Sequence, residues 1–145
     1  MAGVLGYLLA ALGGASSGLQ GAINGRLGTI TPPLNAAVIS TIVALASLLG
    51  LAAVTRQIDL GAVPRIPPVL LVGGLFGAVF VASIIVAVPR LGVVTTITLA
   101  VLGQLAAAAV VDQFGLFGNP RIQLGPERAV GIALVAVGFV LGRPH

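Results

Sequence analysis

Three uncharged polar side chains, Ser17, Gln20 and Asn24, recur at three- and four-residue spacing inside an otherwise apolar stretch. On an α-helix, at about 100° per residue, they fall at about −60°, −120° and −80° from Gly14, on one stripe. An amide in hydrocarbon costs several kcal/mol unless it is hydrogen-bonded. The stripe must therefore face protein or a water-filled cavity. Two chemistries meet that requirement. Gln20 and Asn24 can bond across helices as structural glue, or they can donate to and accept from a solute in a lumen. A second set follows later in the chain: Ser83, then Thr95, Thr96, Thr98 and Gln104. Threonine hydroxyls can bond back to the preceding turn. Gln104 cannot satisfy a whole amide on its own backbone. The candidate substrate-binding residues are thus Ser17, Gln20, Asn24, Ser83, Thr95 and Gln104.

Catalysis lacks its parts. The chain has no Cys, and its one His is the last residue, His145, a solvated chain end. Disulfides, a thiolate zinc site and cysteine redox chemistry are excluded. The acids are Asp59, Asp112 and Glu127. No nucleophile–base pair and no metal-ligand set is present, so no enzyme, metal or cofactor is expected. No charged residue lies in the middle of an apolar stretch, which argues against an obligatory proton relay through an intramembrane acid. Asp112, at the end of the fourth stretch, reads either as a surface acid paired with Arg56, Arg121 or Arg128, or as a gate residue or cation attractor.

The elements that must hold these side chains are membrane helices. Of 145 residues, 58% are hydrophobic and 7% are charged, against about 25% charged in a soluble domain. Ten charges cannot cover the surface of a soluble protein of this size, and the mean hydropathy of +1.19 agrees. The basic balance comes from seven single arginines with no cluster to track phosphates, so no nucleic-acid partner is expected. Charge-free stretches run over 1–25, 27–55, 66–89, 91–111 and 129–142. The first four reach the roughly 20 apolar residues that a span needs. The fifth is short, but Pro126 suits a first helical turn, Glu127 there complements the helix dipole, and Arg128 and Arg143 can snorkel. The expectation is an all-α, polytopic membrane bundle forming a single transmembrane domain over 1–145. Its helices run over about 3–25, 33–54, 68–88, 92–111 and 126–142, with Pro89 ending or bending the third. The alternative is four spans plus a short or re-entrant fifth. The loops are then Gly28–Thr31, Arg56–Pro68, Pro89–Gly92 and Asp112–Gly125, with Phe114 and Phe117 at the interface and Tyr7 as an interfacial anchor.

Glycine marks the packing faces. Gly14, Gly18, Gly21 and Gly25 fall within about 60° on a helical wheel, a smooth stripe along which another backbone can approach. Gly73 and Gly77 repeat the device in the third helix, and Gly138 and Gly142 in the fifth. Orientation is weakly set. With five spans one side carries Arg56, Arg65, Arg121 and Arg128, and the other Arg26, Arg90 and Arg143. Three arrangements stay open: a single orientation with the N-terminus inside, dual topology giving an antiparallel homodimer, or a heterodimer with a paralogue of opposite orientation.

Five segments in order carry a resemblance. They are Gly18-Leu19-Gln20-Gly21-Ala22-Ile23-Asn24-Gly25-Arg26-Leu27-Gly28, Gly73-Gly74-Leu75-Phe76-Gly77, Pro89-Arg90-Leu91-Gly92 with Thr95 and Thr96, Gly103-Gln104-Leu105, and Asp112-Gln113-Phe114-Gly115-Leu116-Phe117-Gly118. Taken together, they resemble the YdcZ-like family of small bacterial inner-membrane proteins, within the drug/metabolite transporter superfamily. The resemblance implies half of an inverted-repeat transporter, acting as a dimer, with the family's polar positions at Gln20, Asn24, Gln104 and Asp112. Small multidrug resistance proteins of that superfamily carry a glutamate deep in their first helix. Here Gln20 and Asn24 occupy that zone, so export by a carboxylate swap is not expected.

The expected function is a secondary transporter half in the bacterial inner membrane. It would move a small polar or amphipathic metabolite or drug by alternating access through a cavity lined by the first, third and fourth helices. The alternative is a non-transporting subunit that scaffolds a partner membrane protein.

Overall fold

The structure, a computed structural model, describes residues 2–142, and these are all-helical. The helices are α1 (Ala2–Ile30), α2 (Pro33–Thr55), α3 (Pro68–Leu91), α4 (Val93–Phe114) and α5 (Pro126–Gly142), with 3-10 turns at Leu60–Arg65 and Leu116–Gly118. The roles expected of Arg143 and His145 fall outside the described residues. Proline sets three of the starts. Pro33, Pro68 and Pro126 each open their helix, where the missing N–H is no loss and φ is preset.

The ends depart from expectation. α1 runs to Ile30, not Gly25, and takes in most of the segment expected to be a loop. A single Arg does not break a helix whose ladder stays intact: Thr31 N donates to the Leu27 carbonyl at 3.1 Å, and Thr29 Oγ1 to that of Arg26 at 2.7 Å. Pro32 ends the helix, because the residue before a proline is pushed out of the α region. α3 passes through Pro89 to Leu91, beyond the expected end at Val88. Proline deletes one donor, yet the last turn persists until Gly92, at φ 79°, separates α3 from α4. α4 continues past Val111 to Phe114, where Gly115 takes the left-handed conformation that closes a helix (φ 63°). Asp112 therefore lies in the last turn of α4.

By length and composition α2, α3 and α4 can each cross a bilayer. α1 has 29 residues, and α5 has 17, about 26 Å. The chain is a helical membrane protein, and its packing says the same. Large apolar side chains such as Leu12, Leu19, Leu48 and Phe76 are each more than half exposed, which suits lipid and not water.

The chain divides into two compact units, Met1–Arg90 and Leu91–His145. In the first, α1 packs on α2, and a small core forms from Ala36, Ala37 and Ile85 with Leu27, Val81 and Ala82 beside it. In the second, α4 packs on α5.

Candidate functional site

In the first unit α1 meets α3 near the C-terminal ends of both. A Cβ built on Gly25 would lie 2.7 Å from Val88 Cβ, and one on Gly28 would lie 2.5 Å from Ile85 Cγ2. Glycine is required here because the α3 side chains occupy the space. Gly21 and Gly25 are buried. Towards the N-termini the contact lapses: a Cβ at Gly14, Gly18, Gly73, Gly74 or Gly77 meets nothing within 4 Å. The same holds for Gly138 and Gly142 in α5. Of the expected packing glycines, Gly25 has an α3 side chain, Val88, seated against it.

Where α1 and α3 lose contact, a cleft of about 220 Å³ opens between α1, α2 and α3. Gln20 lines it together with Ser40 and Thr41 of α2 and Gly74 and Gly77 of α3. The missing side chains of those glycines leave the α3 wall open. Some span hydroxyls elsewhere are committed to their own helix: Ser47, Ser83 and Thr98 donate to the carbonyls of Val43, Val79 and Val94 at 2.8, 2.7 and 2.8 Å. Among the described residues, no side-chain hydrogen bond involves Gln20, Ser40 or Thr41. The cleft thus offers one amide and two hydroxyls with their donors unspent, and no ionisable side chain lines it. Such a set can bind a neutral hydrogen-bonding solute. With no ionisable side chain in its lining, it has no group of ordinary pKa to carry a proton.

The other expected residues are not among those that line this cleft. Asn24, one turn from Gln20, is buried at 6% exposure, and Ser17 is half-buried. Ser83 is exposed, with its proton committed to Val79. On α4, Thr95 is half-buried, Thr96 is buried with its Oγ1 unpartnered among the described residues, and Gln104 is exposed. Ser40 and Thr41 escaped the sequence reading. Their only signal was a pair of adjacent hydroxyls within an apolar helix.

In the second unit Arg128 Nη1 donates to Asp112 Oδ2 at 3.0 Å. Asp112 is thus paired, and of the three arginines expected as partners Arg128 is the one in contact. The loop between α4 and α5 is tied to α4 through Gln113, whose Oε1 accepts from Leu124 N at 2.8 Å and whose carbonyl accepts from Arg121 Nε at 2.9 Å. The carbonyl of Asp112 accepts from Ile122 N at 2.8 Å.

Apolar helices of membrane-spanning length define a helical membrane protein in class. Residues 5–141 match the family described as "Putative inner membrane exporter, YdcZ", and the chain belongs to that family within the drug/metabolite transporters. No curated protein and no solved structure matches the chain.

Proposed function

We propose that the chain is one half of a secondary transporter that carries a neutral, polar or amphipathic solute across the bacterial inner membrane. In this reading all five helices span the bilayer as one transmembrane domain, and a second copy or a paralogue in the opposite orientation completes the transporter. The observation that carries the reading is the cleft that Gln20, Ser40 and Thr41 line, none of them in a side-chain hydrogen bond among the described residues. Unpaired polar groups in a membrane are costly, and a solute or water that satisfies them offsets that cost. Asn24, Ser17, Thr95 and Gln104 remain further polar positions of the same transporter, and the open glycines Gly14, Gly18, Gly73 and Gly77 are where the second half approaches. The family's description as an exporter supports outward movement.

Flux into proteoliposomes tests the proposal. Purified protein should move a neutral solute, and Gln20→Leu combined with Thr41→Val should abolish that movement. Flux unchanged in the double variant overturns the assigned site. A purified chain that moves no solute at all, yet stabilises a partner membrane protein, would favour the scaffolding subunit instead.

A further inference from the structure

A second cleft, of about 430 Å³, lies between α4 and α5. Its walls are apolar (Leu105, Ala108, Ile132 and Val135), and Gly131 opens one side, where a Cβ would meet nothing within 4 Å. At one end it carries two opposite charges, Asp112 and Arg128. We propose that this cleft binds a phospholipid with a primary ammonium headgroup, its phosphate on Arg128, its ammonium on Asp112 and an acyl chain between α4 and α5.

Three observations argue for that occupant. The first is register. Asp112 lies two residues from the end of α4 and Arg128 two from the start of α5. Leu105 and Val135 lie seven residues further along their helices, about 10 Å deeper. Charge at the helix ends with an apolar wall running inward is the layout of a lipid at the interface. The second is charge complementarity. The pair sums to zero, so a zwitterion matches it, whereas an anionic headgroup leaves Asp112 facing negative charge. The third is unused capacity. Arg128 spends one N–H on Asp112 through Nη1, and Asp112 accepts through Oδ2, so further donors and Oδ1 remain. The two side chains are 52% and 38% exposed, open to a headgroup. A choline headgroup has no N–H to give Asp112, which sets the ethanolamine lipid apart.

This inference rests on the proposed placement of α5 in the bilayer beside α4. Native mass spectrometry of the full chain, exchanged into micelles holding phosphatidylethanolamine, phosphatidylcholine or phosphatidylglycerol, tests it. The ethanolamine lipid should be retained about tenfold over the choline lipid, the equivalent of one charge-assisted hydrogen bond. Asp112→Asn should erase that preference. Gly131→Leu, which projects into open space, should displace the lipid while the ion pair persists. Equal retention of the ethanolamine and choline lipids, stronger retention of the glycerol lipid, or no effect of Gly131→Leu overturns the proposal. Gly131→Cys, in a chain without cysteine, separates the two failures. Its protection from a membrane-impermeant maleimide supports α5 in the bilayer, and its labelling overturns that placement together with the lipid site.

Discussion

Val88 of α3 occupies the space that a side chain at Gly25 of α1 would need: a methyl there would stand 2.7 Å from Val88 Cβ. Gly28 stands in the same relation to Ile85, at 2.5 Å from Cγ2. Overpacking of this kind costs about 1–3 kcal/mol. Gly25→Ala and Gly28→Ala are therefore expected to lower the unfolding midpoint in mild detergent. Adding Val88→Ala to Gly25→Ala should recover part of the loss, since contacting sites are not additive. Gly50→Ala in α2 meets nothing within 4 Å and should leave unfolding unchanged or improve it slightly. Equal effects at Gly50 and Gly25 would contradict this packing.

The cleft makes a separate prediction about hydroxyls. Ser40→Ala and Thr41→Val remove donors that have no side-chain partner among the described residues. Each should weaken solute binding by about 0.5–1.5 kcal/mol, or roughly 2- to 13-fold in KM. Ser47→Ala is the control, because that hydroxyl is already bonded to Val43. If Ser47→Ala alters flux as much as Ser40→Ala, commitment of the hydroxyl does not decide function.

The Asp112–Arg128 pair should contribute little to stability. Both side chains are partly exposed, and such pairs are worth under about 1 kcal/mol. A double-mutant cycle with Asp112→Asn and Arg128→Gln measures the coupling, which should shrink as salt is raised. A coupling of several kcal/mol would show the pair to be the main fastening of α4 to α5.

Gln113 is expected to matter more to the loop than to the helices. Gln113→Ala removes the acceptor of Leu124 N and should cost about 1 kcal/mol locally. The readout is trypsin cleavage after Arg121, which should accelerate while helix content stays constant. Unchanged cleavage would mean that the backbone bond from Ile122 to Asp112 suffices to hold the loop.

What the sequence made legible followed from backbone chemistry. The membrane class came from charge scarcity, and the starts of α2 and α5 from Pro33 and Pro126, which fit a first turn. The ends were harder to read. Arg26 marks the end of an uncharged stretch, yet a charge changes where a side chain lies and leaves the N–H ladder intact, so α1 continues to Ile30, just before Thr31 and Pro32. Gln20 stood out because its amide has no local partner. Ser40 and Thr41 did not, because a hydroxyl in a helix can be bonded to its own turn or be free, and only the rotamer decides. The clamp on the 115–125 loop was illegible for a similar reason, since Gln113 reaches Leu124 across eleven positions.

The one-ended contact of α1 with α3 also has a mechanical consequence. Gly25 is a fulcrum, and Gly14 lies eleven residues away, a lever arm of about 16 Å. A tilt of about 10° there moves Gly14 through roughly 3 Å and the nearer Gln20 through about 1 Å, a graded widening of the cleft wall away from the joint. The motion asks the joint itself to deform very little, so the tightest spot in the unit can stay closed while its widest part breathes.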